Sequence, residues 1–214
     1  MSIVLLRQIK IRWYRYVISL KDCDHMTSEY YPWGGEFTVG ASNGCVAVVL
    51  LNIQYTPPES VAIYGRLKTE NIGIEKIIAN TISNPALRFL ILCGEDIRGH
   101  RSGCSLISLH KNGIDHNHRI IDAPGAIPYI ENLKQEAIIR FQQQLQVVDL
   151  IGLTDTKKIE AIINQYTAKT PSSFGEPYIA IRLKPQATIN LTDNRALHSR
   201  IVIDYLGKVR KRGE

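Results

Sequence analysis

The 214-residue chain carries 26 basic against 20 acidic side chains, a net charge of +6, with 44% hydrophobic residues and four cysteines. That length suits one large domain, or one domain with an appendage, whose core is big enough to need no staples. No stretch reaches the roughly 18 unbroken apolar residues of a membrane-spanning helix, and the cysteines form neither a C-x-x-C pair nor a disulfide framework. The basic residues crowd into two tails, "RQIKIRWYR" and "KVRKRGE", which argues against a nucleic-acid groove along the centre.

The opening "MSIVLLRQIKIRWYRYVISLK" begins apolar, but Arg7, Lys10, Arg12 and Arg15 interrupt it before a secretory core forms, so a cytoplasmic location with reduced thiols is expected. Residues 1–35 read as a basic N-terminal extension closing on the turn-forming "YPWGGE". From 36 to 170 apolar runs alternate with helical patterns. "CVAVVLL" (45–51), "RFLILCG" (88–94) and "QVVDLIG" (146–152) have the continuous apolar character of strands covered on both faces. Ile74, Ile77, Ile78 and Ile82 share one helical face before Asn84-Pro85 stops it; Ile138, Phe141 and Leu145 form a second stripe, with Asn132 and Gln135 predicted as its capping box. Ile159, Ile162, Ile163 and Tyr166 form a third.

This alternation predicts an α/β fold, a Rossmann-like and mostly parallel sheet flanked by helices. Ligands of such sheets collect beyond the carboxyl ends of the strands. After "KTPSSFGEP", residues 171–214 read as a small, mostly β appendage: Ile179, Ile181 and Leu183 alternate with polar neighbours, and "TINLT" and "RIVIDYLG" are further strand candidates.

The loop "CGEDIRGHRSGCS" (93–105) follows the second apolar run and places His100 among Gly94, Gly99 and Gly103. Glycine on both sides allows unusual backbone angles and lets a large flat ligand approach. A histidine so framed can ligate a metal, act as a general base, or bond a nearby carbonyl. Cys93, His100, Cys104, His110, His116 and His118 all fall within 26 residues, yet their spacings fit no zinc pairing. Cys104, Ser102 and Ser105 lie in no nucleophile elbow, and neither G-x-G-x-x-G nor G-x-x-x-x-G-K-[ST] occurs.

Taken as a unit, "KTENIGIEKIIANTISNPALRFLILCGEDIRGHRSG" (68–103) resembles the A subunit of tetrahydromethanopterin S-methyltransferase, and the likeness continues through "LHKNGID", "GAIPYIEN" and "RFQQQLQVVDLIG". Upstream, "GEFTVGASNGCVAVVLL" is similar to that family's opening strand. The resemblance implies that residues 36–170 form a Rossmann-like domain holding a cobamide, with His100 as axial cobalt ligand. It also implies a methyl relay, in which reduced cobalt accepts a methyl group from a methylated tetrahydropterin and passes it to a thiol.

Matching positions extend the implied cofactor contacts to Lys68, Thr69, Glu70 and Asn71 before a helix, to Gly99, Ser102 and Gly103 around the histidine, and to Gly125, Ala126, Ile127 and Pro128 as a small-residue wall. A capped helix start and a tight turn are the structural alternatives for the first and last of these groups. Glu95 or Asp96 could orient His100 through its other ring nitrogen, although the favoured reading of both is as solvated loop acids. Where the family has x-T-G-Q after the histidine, this chain has Arg101, Ser102, Gly103 and Cys104. It is also expected to lack the family's membrane helix. The implied protein is a soluble corrinoid carrier served by a separate pterin-binding methyltransferase protein, with a homodimer left open. The alternative is a non-catalytic binding or regulatory module that has kept the fold and lost the cobamide.

Overall fold

A computed structural model describes residues 30–182 and the backbone of 201–203 and 209–211. The chain divides into a first unit ending at Leu183 and a second unit, Lys184–Glu214. In the second, Ile201–Ile203 pairs antiparallel with Val209–Lys211. The predicted strand "TINLT" and most of the N-terminal extension lie outside the described residues.

The first unit is an α/β fold around a five-stranded sheet. Its strands are β1 (Phe37–Val39), β2 (Val46–Leu50), β3 (Ile63–Arg66), β4 (Phe89–Gly94) and β5 (Gln146–Ile151), in the order β1-β3-β2-β4-β5. β3, β2, β4 and β5 run parallel, while β1 runs antiparallel to β3. The helices are α1 (Ile72–Ser83), α2 (Ser102–Asn112), α3 (Gln135–Gln144) and α4 (Thr156–Thr167).

β2 and β4 are buried along their whole length, as their apolar runs predict. β5 is different. It is an edge strand whose Gln146 and Asp149 are exposed, so the apolar run 146–152 is covered only in part.

One face of the sheet is covered by α1, α2 and α3. Ile74, Ile78 and Ile82 of α1, Leu106 of α2 and Phe141 of α3 pack there with Ala47, Val49, Leu90 and Leu92. Each fully buried isoleucine contributes roughly 1.5–3 kcal/mol of transfer free energy. The other face takes α4, whose Ile159 and Ile163 meet Val48, Leu50, Ile91 and Cys93.

Buried polar groups join these layers. The Gln144 amide at the end of α3 donates to the carbonyls of Thr81, Asn84 and Leu87 at 3.3, 2.9 and 3.2 Å, tying α3 to the end of α1 and the turn that follows it. The predicted capping box is not formed. α3 begins after Lys134 with no side-chain cap, and Asn132 is bound instead by the buried Glu75 of α1. Glu75 Oε1 accepts from the Glu131 and Asn132 backbone N–H groups at 2.6 and 2.7 Å, and its Oε2 accepts from Asn132 Nδ2 at 2.7 Å.

Residues 179–182 belong to no strand. The segment 171–182 runs along the first unit, where Phe174 and Tyr178 donate to the Pro85 and Ile82 carbonyls at 2.9 and 3.2 Å. Tyr178, Ala180 and Ile181 pack against the core there, so the period-two pattern does not mark one face of a strand.

The topology sets up the site. The chain steps from β2 out to β3, then returns past β2 to β4. The loops that follow β3 (67–71) and β4 (95–101) therefore leave on either side of β2, at a switch point of the sheet.

Candidate functional site

His100 stands in the loop after β4, which is shorter than the stretch 93–105 suggests, because α2 already begins at Ser102. Two left-handed residues flank the histidine: Gly99 at φ +92° and Arg101 at φ +43°. The second is uncommon for a residue with a Cβ and stores strain of order 1 kcal/mol or more. It is held by the Arg101 N–H donating to the Ile97 carbonyl at 2.9 Å and by the Arg101 carbonyl accepting from Ser105 Oγ at 2.9 Å.

The acid that orients His100 is Glu70. Its Oε2 lies 3.1 Å from His100 Nδ1, and its Oε1 accepts from the Ile127 backbone N–H at 3.1 Å. The Glu70 side chain is 5% exposed and the imidazole 60%. Burial pushes the Glu70 carboxyl up, but its own backbone amide, the Ile127 N–H and His100 outweigh that, leaving it below the ordinary carboxylate range. An ionised carboxylate only accepts, so Nδ1 is the donor in this contact, and in a neutral imidazole that tautomer leaves the lone pair on Nε2. Nε2 has no hydrogen-bond partner among the described residues.

Neither Glu95 nor Asp96 takes the orienting role, the less favoured of the two readings of these acids. Asp96 accepts from the Gly103 and Cys104 N–H groups at 3.2 and 2.8 Å, capping the start of α2 that Arg101 leaves without a side-chain cap. The signal for Glu70 was out of reach of local spacing, since it lies 30 residues from His100.

Of the segment before α1, only Glu70 meets the histidine. Thr69 Oγ1 accepts from Gly73 N–H at 2.9 Å and Asn71 Oδ1 from Ile72 N–H at 2.7 Å, so both act as helix caps. Lys68 pairs with Glu36 at 2.7 Å. Ser102 is buried at the start of α2, and Gly103 lies against Leu51 and Ile151.

The segment 125–128 does form a wall beside the histidine. Gly125 and Pro128 are buried, while Ala126 and Ile127 are exposed. A Cβ on Gly125 would come within 2.7 Å of both the His100 carbonyl oxygen and Ser105 Oγ, and within 3.0 Å of Glu70 Cγ. Gly125→Ala is therefore expected to cost about 1–3 kcal/mol and to separate the wall from the histidine loop. A chemical-denaturation midpoint equal to the wild type would show that the site has slack.

Five large aliphatic side chains are exposed among the described residues, and three of them, Ile72, Ile97 and Ile127, stand on the segments that surround His100. Ile127 alone was among the residues expected there. The signal for Ile97 is an isoleucine set between charges in "EDIRGH". The result is an exposed imidazole held through Nδ1, on segments that also carry exposed apolar side chains. This arrangement suits a broad, flat ligand with one coordination position.

The other metal-binding side chains do not converge. His110 Nε2 lies 2.7 Å from the Leu145 carbonyl oxygen and His118 Nδ1 3.1 Å from that of Ile130. Cys93 lies in the core, where burial pushes its thiol up to about 11. Burial and the neighbouring Asp96 carboxylate also raise the Cys104 thiol, so it does not present a reactive thiolate. Among the described residues no group of three or more His, Cys, Asp or Glu could hold a metal ion. None of the described helices is long and apolar enough to cross a membrane.

Residues 25–190 match the family model for the A subunit of tetrahydromethanopterin S-methyltransferase. The A 1 subunit of that methyltransferase from Methanothermobacter thermautotrophicus is 47% identical over 154 residues, covering 70% of this chain and 65% of the relative. Its counterpart from Methanothermobacter marburgensis is also 47% identical over 154 residues, with the same coverage of 70% and 65%. The A subunit from Methanosarcina acetivorans is 44% identical over 151 residues, covering 68% of this chain and 62% of the relative. The matched stretch thus spans a little under two thirds of these relatives. The chain belongs to the family of tetrahydromethanopterin S-methyltransferase A subunits.

Proposed function

We propose that the chain is a cytoplasmic corrinoid carrier in methyl transfer from a methylated tetrahydropterin, with residues 36–170 as the cobamide-binding domain and His100 as the axial cobalt ligand. The observation that carries this reading is the buried Glu70 carboxylate on Nδ1 of an exposed imidazole. Metal-ligating histidines typically have such a partner on the second ring nitrogen, because it fixes the tautomer, orients the ring and raises the basicity of the ligating nitrogen. Neutral imidazole is also a suitable donor for a borderline transition metal.

The cofactor, when bound, supplies the nucleophilic metal centre of the methyl relay. The chain supplies the rest. Gly99 and Arg101 hold the His100 backbone, and Glu70 fixes its ring. Ile72, Ile97 and Ile127 offer apolar contact, while Gly99, Gly125 and Ala126 keep the approach to the ring low in side-chain bulk. A carrier of this kind holds the methyl group and depends on a separate pterin-binding methyltransferase protein to deliver it.

The test is a visible-absorption titration of the purified full chain with hydroxocobalamin. Wild type is expected to bind with a ligand-exchange spectral change, and His100→Ala is expected to lose that change. If folded wild type binds no corrinoid, the carrier reading is wrong and the chain is a binding module for another flat ligand.

A further inference from the structure

A cavity of about 370 Å³ lies between the sheet and α1, away from the imidazole of His100. Its floor is Ala47 and Val49 of β2 with Ile63 of β3, one wall is Phe37, and the opposite wall is α1. The recess opens to solvent beside Glu36 and Lys68, so its apolar floor is reachable from outside. Ala47 puts a small side chain on the floor, and Gly65 faces Phe37 in the β1–β3 ladder.

The charges at the opening are unequal. Lys68 is neutralised by Glu36 at 2.7 Å. Lys76, half-buried and also lining the cavity, has no ion-pair partner among the described residues. A lysine at the opening of an apolar chamber with an aromatic wall complements an anion carrying a compact ring system. The volume is at the lower end of the roughly 300–1,000 Å³ of small-molecule pockets, which limits the occupant to about one or two fused rings.

We propose that this cavity is a second ligand site, distinct from the His100 imidazole although Ile72 borders both, for an aromatic monoanion whose rings enter between Phe37 and α1 and whose charge meets Lys76. Glu70, which orients His100, belongs to the same 67–71 loop whose Lys68 and Thr69 line the cavity. The two sites are neighbours on one loop, but the proposed occupancy does not depend on a corrinoid.

Isothermal titration of the full chain with 2-naphthoate tests this, with 2-naphthylmethanol as the uncharged analogue. Saturable one-to-one binding of 2-naphthoate is expected. Ala47→Phe, which fills the floor, should weaken it by about tenfold or more, the effect of losing well-buried ring contact. Gly35→Leu acts at the exposed rim, where a Cβ meets nothing closer than 3.6 Å, so it leaves the core intact and should also weaken binding. Lys76→Glu should weaken 2-naphthoate by about fivefold or more, in line with a partly screened ion pair, and leave the uncharged analogue unaffected. His100→Ala should bind as wild type does, which separates this result from the corrinoid test. Absence of saturable binding, or equal binding by wild type, Ala47→Phe and Gly35→Leu, overturns the proposal.

Discussion

Glu75→Ala is expected to lower the stability of the chain by about 2–4 kcal/mol, the largest loss foreseen for a single side chain. Glu75 is 1% exposed and sits on the buried face of α1 beside Ile74 and Ile78. Three hydrogen bonds at 2.6–2.7 Å tie it to the backbone of Glu131 and Asn132 and to the Asn132 amide. Removing a buried acceptor costs about 1–3 kcal/mol for each donor left without a partner. Glu131 and Asn132 are exposed, so water recovers part of that loss, which keeps the total below the sum of the three. For a domain of about 150–250 residues the change corresponds to a fall of about 5–15 °C in Tm. Glu75→Gln should cost less, because its oxygen still serves both backbone donors. Urea unfolding distinguishes the cases through a shifted midpoint at constant slope; a loss under about 1 kcal/mol for Glu75→Ala would mean that the three donors are readily hydrated.

Glu70→Gln is expected to weaken hydroxocobalamin binding by about 10–100-fold, the usual effect of removing an acid behind a metal-bound histidine. The carboxylate has one oxygen for His100 Nδ1 and another for the Ile127 N–H. A glutamine side chain has one oxygen, so whichever way its amide turns, one of those donors faces an NH2 group. The protein should stay folded, since the lost bond lies at a half-exposed ring. The decisive comparison is with His100→Ala, which abolishes the ligand-exchange spectrum, whereas Glu70→Gln weakens binding while retaining it. Equal affinity in Glu70→Gln and wild type would remove Glu70 from the site.

β2 and β4 were legible in the sequence because a strand buried on both faces shows as an uninterrupted apolar run. The three isoleucine stripes located α1, α3 and α4 for a similar reason: their buried faces recur at helical spacing. β1 and β3 left no comparable signal. β1 has three residues, and β3 reads Ile-Tyr-Gly-Arg, with Gly65 and Arg66 breaking any run. α2 starts with Ser102, Gly103, Cys104 and Ser105, small residues that read as loop.

The site was legible in part. Glycines around His100 marked the loop, and the family resemblance marked segments 68–71 and 125–128, which the structure brings together through Glu70. What spacing could not reveal was the pairing, since Glu70 reaches His100 across 30 residues and Ile127 across 57. Glu75 did leave a trace, as an acid on the same helical face as Ile78 and Ile82, where an unpartnered carboxylate would be costly. Its donors lie 56 and 57 residues away, which is why Asn132 reads as a helix cap in the sequence and proves to be a partner of α1 in the structure.

The two ends of the sheet bear on how this chain behaves at high concentration. A parallel sheet of apolar strands with open edges is a template for edge-to-edge association, the first step of aggregation. Here one edge is only three residues long and runs against its neighbour's direction. The other edge, β5, carries the exposed Asp149 midway along its length. A second copy docking on β5 would meet a like charge and one docking on β1 would gain few backbone bonds, so the described sheet is terminated at both sides against growth into a ribbon.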